Sequence, residues 1–191
     1  MSRIPVLSTK DANLFTRLIY RIARRRYGAV PEPFAVIARH TGLLAAGAVH
    51  ELAVEKASRT LPVNVRQIAS YRVAVRLACS WCVDFGTMLQ KHDGLDIERL
   101  KHIDEYATSP LFSRQERLAL AYADAMTESP VTVTDEQVAE LEREFGRKGV
   151  VELSYQIALE NLRGRLNSAL GIPEQGFTSG EACRVPLPGA A

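Results

Sequence analysis

Cysteine is scarce in this 191-residue chain, which has three, and tryptophan scarcer, with one. So few cysteines, and an odd number, argue against the disulfide framework of a small secreted domain and leave any close pair to redox or metal chemistry in a reducing compartment. Long apolar runs are also missing: the chain nowhere reaches the ~18 consecutive apolar residues of a membrane-spanning helix. Met1-Ser2-Arg3-Ile4-Pro5 lacks the apolar stretch of a signal peptide. The expectation is a cytoplasmic protein with no membrane partner. No stretch alternates β-branched residues as a sheet would, so the class is all-α. Dinucleotide, phosphate-loop and Ser-His-Asp signatures are absent, and no cofactor is expected. His40, His50, His92 and His102 are scattered, and one close cysteine pair cannot supply the four ligands of a structural zinc site, so no metal is expected either.

Charged residues make up 24% of the chain and apolar ones 47%, enough for one ordinary domain with a sizeable core. The net charge of +2 hides an asymmetry. Residues 1–30 carry Arg3, Lys10, Arg17, Arg21, Arg24, Arg25 and Arg26 against the single acid Asp11. Leu14, Leu18, Ile19 and Ile22 recur at helical spacing, with Arg17, Arg21, Arg24 and Arg25 mostly opposite. Such a basic amphipathic helix suits an anionic surface or nucleic acid. Without aromatic interleaving or a nucleic-acid motif, it reads as a helix packing on the core or on a partner subunit.

Prolines and glycines cut the rest into helical blocks. Pro31-Glu32-Pro33 precedes a block from about Phe34 to Ser58, split or bent at Thr41-Gly42. Leu61-Pro62 opens a central block from Val63 to Lys91 that Gly94 closes, either one helix or two meeting near Cys79. A short helix is expected over Asp96 to Tyr106. Ser113-x-x-Glu116 and Thr134-x-x-Gln137 are capping boxes for two further helices, the second ending at Gly146. The last helix, Lys148 to Leu170, should bury Val151, Tyr155, Ala158, Leu159, Leu162 and Leu166. The division is therefore a basic helix in 1–30, a helical domain over 31–172 and an irregular tail over 173–191.

Chemistry concentrates at Cys79-Ser80-Trp81-Cys82. Residues i and i+3 share a helix face with Cβ atoms roughly 5–6 Å apart, which small adjustment brings to disulfide geometry. No His, Asp or Glu stands where a thiol on this helix would find a base. Arg72 and Arg76 precede Cys79 by seven and three residues, so on an uninterrupted helix they share its face and are candidate thiolate stabilisers. Asp84 points elsewhere. Tyr71 and Tyr155 reach a pocket only through tertiary packing, Trp81 reads as core or interface, His92 as a helix end, and Cys183 as incidental.

Leu61-Pro62, Arg66-Gln67-Ile68-Ala69 and Cys79-Ser80-Trp81-Cys82-Val83-Asp84-Phe85-Gly86 resemble the alkylhydroperoxidase (AhpD-like) branch of the carboxymuconolactone decarboxylase superfamily. Leu111-Phe112-Ser113-Arg114-Gln115-Glu116, Val131-Thr132-Val133-Thr134-Asp135 and the closing run from Asn161 to Gly171 are similar to its second half. The resemblance, over about Pro31 to Ile172, implies an AhpD-like helical bundle and a homo-oligomer (dimer, trimer or hexamer) packed around the cysteine motif. It also implies that Cys82 attacks a peroxide, that Cys79 resolves the sulfenic acid, and that a thiol reductant reopens the disulfide. Family peroxidases add a Glu and a His as a proton relay. Here Gln67 stands at the Glu position and Gly86 at the His position, and glutamine cannot take a proton. The leading expectation is an AhpD-like CxxC thiol oxidoreductase with an atypical relay, acting in peroxide reduction or thiol–disulfide exchange. The alternatives are a non-redox helical oligomer that binds a small molecule, and a decarboxylase-type lyase.

Overall fold

Local chain chemistry sets the helix ends. The computed structural model describes residues 2–179 and is all-helical among them. The Asn13 side chain accepts from the Thr16 amide (2.8 Å) to open α1 (Leu14–Tyr27), and Gly28 closes it at φ +78°. Helix α2 (Glu32–Ile37) starts after Pro31, and α3 (Thr41–Ala57) starts after His40, whose ring accepts from the Leu43 amide. The 34–58 block is thus split. The central block is also two helices, α4 (Val63–Arg76) and α5 (Ser80–His92). A 3₁₀ segment (Glu98–Glu105) stands where a short helix is expected. The Ser113–Glu116 capping box opens α6 (Arg114–Thr127). Thr134 caps α7 (Asp135–Leu170), in which two helical stretches meet at Gly146, where the sequence places a helix end. The chain kinks there, at φ +68° and ψ 166°, a non-helical conformation glycine adopts without a Cβ penalty, and a second helical stretch follows.

Helix α4 packs against α5, α6 and α7, and is buried on most of its surface. One side (Ile68, Tyr71, Ala74) joins Cys79 and, from α5, Trp81, Cys82 and Val83 with Leu100, Ile103, Phe112, Leu120 and Ile172. The other (Val65, Ala69, Val73) joins Ala119 and Ala123 of α6 with Leu141, Leu153 and Ile157 of α7. At α6, burial pushes the Glu116 carboxyl up, but bonds from the Ser113 amide, Arg99 and Asn64 outweigh it and hold the group below its ordinary range.

Two helices turn unexpected faces inward. On α7, Leu159 alone of the expected stripe is buried, while Val151, Tyr155, Ala158, Leu162 and Leu166 are exposed. The inward line is Leu153, Ile157, Glu160, Gly164 and Asn167. On α1, Thr16, Tyr20 and Ala23 are buried, with the Tyr20 hydroxyl donating to the Leu7 carbonyl at 2.9 Å, and Leu14, Leu18 and Ile22 face out.

Candidate functional site

The corner between α4 and α5 builds the site. Leu77 donates to the Val73 carbonyl, Ala78 to Val75 and Cys79 to Ala74, at 2.9–3.0 Å, while Ala78 takes the left-handed conformation (φ +50°). The turn interrupts the helix and makes Cys79 the N-cap of α5. Its Sγ accepts from the Cys82 amide at 3.3 Å. Cys79 and Cys82 are joined as a disulfide with Cα atoms 5.2 Å apart, and are 3% and 5% exposed. Both sulfurs lie in the first turn of α5, where the positive end of the helix dipole favours a thiolate.

Helix α7 closes over this corner. A Cβ on Gly164 would stand 2.7 Å from Leu77 Cδ1 and 3.8 Å from Cys79 Cβ, so any larger residue there would have to displace the end of the Leu77 side chain. One turn on, the buried Asn167 turns its amide Nδ2 toward Cys82 Sγ at 3.5 Å, with Cys79 Sγ at 3.9 Å. Asn167 is a residue at the cysteine pair that sequence reasoning missed; its register with Gly164 and Glu160 on α7 was the available signal.

Behind the pair, Asp84 is buried and holds the segment after α7. Its carboxylate accepts from the amides of Gln175 (3.1 Å), Phe177 (2.9 Å) and Thr178 (2.9 Å) and from the Thr178 hydroxyl (2.9 Å). Trp81 Nε1 donates to Gln175 Oε1 at 3.1 Å, and its ring stacks on Phe85 with Phe177 edge-on. The start of the tail is therefore a strap across the CxxC helix. Cys183 lies outside the described residues.

The two relay positions face α4 and α5 differently. Gln67 donates through Nε2 to Asp93, and its buried Oε1 has no partner among the described residues. A Cβ on Gly86 would sit 3.3 Å from Cδ2 of the buried Tyr71 ring, so any side chain there would press on that ring. Arg72 pairs with Asp124 (Nε–Oδ1 2.7 Å) and Asp104 (2.7 Å), and its guanidinium lies 5.4 Å from the Tyr106 ring centre. Arg76 pairs with Glu128 and Asp124. Once the helix breaks at Leu77, both arginines are directed to carboxylates. Tyr106 is pushed up to about 12 by burial and the neighbouring Asp124. Tyr155 meets His50 at 2.7 Å, and His92 is exposed beside Asp93.

One more ionisable group lines the inward face of α7. Glu160 is pushed up to about 7 by burial, against the pull of Arg163, which it meets at 3.1 Å and which also binds Glu51.

No protein-family profile matches the chain. The uncharacterized protein YnjA of Escherichia coli (strain K12) is 32% identical over 188 residues, spanning 97% of this chain and 95% of YnjA. The alkyl hydroperoxide reductase Rv2159c of Mycobacterium tuberculosis (strain ATCC 25618 / H37Rv) is 35% identical over 71 residues, 37% of this chain and 20% of its own length. Among solved structures, the alkylhydroperoxidase AhpD core of a peroxidase-related protein from Ralstonia eutropha JMP134 superposes with a TM-score of 0.81 at 17% identity, covering 92% of this chain and 94% of that one. The debrominase Bmp8 superposes with a TM-score of 0.78 at 20% identity, covering 90% and 91%. At the identity and coverage it shares with YnjA, the chain belongs to the family of YnjA, and its fold is that of the AhpD core.

Proposed function

We propose that this protein is a CxxC thiol oxidoreductase whose Cys79–Cys82 pair cycles between dithiol and disulfide without a carboxylate–imidazole relay. The observation that carries the reading is a disulfide seated on the first turn of α5 with the Asn167 amide against its sulfurs. Helix dipole and amide both favour a thiolate, and only the thiolate is nucleophilic. The Cys82 thiolate attacks the outer oxygen of a hydroperoxide and the O–O bond breaks. The departing alkoxide takes a proton from water, and Cys82 is left as a sulfenic acid. The Cys79 thiolate then displaces hydroxide from that sulfur and closes the disulfide. Two thiols of an external reductant supply the two electrons and two protons that reopen it. Thiol–disulfide exchange with a partner uses the same pair through a mixed disulfide.

The test is cumene hydroperoxide consumption with dithiothreitol as reductant. Cys82→Ser should abolish turnover, and Cys79→Ser, given peroxide without dithiothreitol, should stop at a sulfenic acid that dimedone traps. Undiminished peroxide turnover in the double variant would reject the cysteine-based reading; no turnover in the wild type, with ligand-dependent stabilisation that survives Cys82→Ser, would favour the binding protein.

The same reading includes self-association. Leu43, Val49 and Leu52 of α3 and Val151, Tyr155 and Leu162 of α7 are exposed. The two helices are tied by His50–Tyr155 and Glu51–Arg163. Apolar side chains on two linked helices support a contact between copies of the chain, which sedimentation velocity measures directly.

A further inference from the structure

Helix α1 combines two outward-facing features. Leu14, Leu18 and Ile22 are 83%, 52% and 56% exposed, at the i, i+4, i+8 spacing of one stripe. Beside them Arg17, Arg21, Arg24 and Arg25 line a concavity of about 350 Å³ with Thr9. None of these four is ion-paired among the described residues: Arg17 donates to the Ala12 and Lys10 carbonyls (2.8 Å each), and Arg24 to the Thr9 hydroxyl (3.1 Å). The helix contains no acidic residue. Its opposite face, Thr16, Tyr20 and Ala23, is already packed, so neither stripe can turn inward without undocking the helix.

From these observations we propose that α1 is a peripheral docking face for an anionic phospholipid bilayer, lying along the surface with Leu14, Leu18 and Ile22 in the headgroup–acyl boundary and the arginines on lipid phosphates. From sequence the helix reads as core- or subunit-facing, with no membrane partner; the structure turns its apolar stripe outward. Charge selects the occupant. A two-fold contact of α1 with its own copy would set four unpaired arginines against four, whereas an anionic surface neutralises them. The apolar stripe distinguishes a bilayer from nucleic acid, which would use the arginines alone. No helix among the described residues is long and apolar enough to cross a membrane, so the mode proposed is interfacial.

The test is co-sedimentation of the full chain with phosphatidylglycerol-rich vesicles and with pure phosphatidylcholine vesicles, at low and raised salt. Binding to the first and not the second is expected. Arg21→Glu/Arg25→Glu should weaken it about tenfold or more, and Leu14→Gln/Leu18→Gln/Ile22→Gln by a similar factor. All these positions are exposed, and circular dichroism checks that each variant folds. Absence of vesicle binding by the wild type overturns the proposal. So does binding that ignores the leucine–isoleucine substitutions, or that short duplex DNA abolishes. A change of oligomeric state in the variants, with no loss of vesicle binding, assigns α1 to a second copy and overturns it as well.

Discussion

The Asn167 side-chain amide stands 3.5 Å from Cys82 Sγ across the α5–α7 interface. It is a donor that cannot act as a base, placed where a thiolate would form. Hydrogen bonds to a charged group are worth about 1.5–3 kcal/mol, or roughly one to two pKa units. Asn167→Leu should raise the pKa of the reactive thiol by about one unit, and Asn167→Asp, which brings a negative charge, by more. The pH profile of thiol alkylation in the reduced variants measures both.

Restoring a histidine at Gly86 should not restore a relay. Tyr71 Cδ2 lies 3.3 Å from where even a Cβ would be, so Gly86→His overpacks the α4–α5 contact. A loss of about 1–3 kcal/mol in urea unfolding is expected, with no gain in peroxide turnover.

Asp84 should act as the latch of the strap. Its carboxylate accepts four hydrogen bonds from Gln175, Phe177 and Thr178. Asparagine offers one acceptor oxygen and an unwanted donor. Asp84→Asn should cost about 1–3 kcal/mol and speed proteolysis within 172–178 in limited digests.

Glu160 gives the protein a pH-dependent stability of definite sign. Its carboxyl is pushed from 4.5 to about 7 in the fold, so between those values the folded chain holds a proton that the unfolded chain has released. Stability therefore falls as pH rises from about 4.5 through about 7, by roughly 3 kcal/mol, and levels off above. Glu160→Gln should flatten this slope and be the more stable form at alkaline pH, with Arg163 still held by Glu51. Urea titrations across the range check it.

Helix ends were the most legible part of the chain, because caps are local: Gly28, Ser113–Glu116 and Thr134 act as their sequence implies. The inward face of α7 was not. Glu160, Gly164 and Asn167 are poor candidates for burial by hydrophobicity, and they lie inward where Gly164 packs on Leu77 and Asn167 meets the cysteine sulfurs. Arg72 and Arg76 misled for a related reason, since their expected register with Cys79 assumes a continuous helix and the chain turns at Ala78. Asp84 looked idle because its partners lie more than ninety residues away in sequence.

The central claim is that the cysteine pair is reactive without a base, and the pH dependence of alkylation of the reduced protein, with mass spectrometry to identify the modified cysteine, tests it most directly. The account predicts that Cys79 or Cys82 reacts as a thiolate with a pKa well below about 8.5. If both stay inert until alkaline pH, the pair is structural and the redox reading is contradicted.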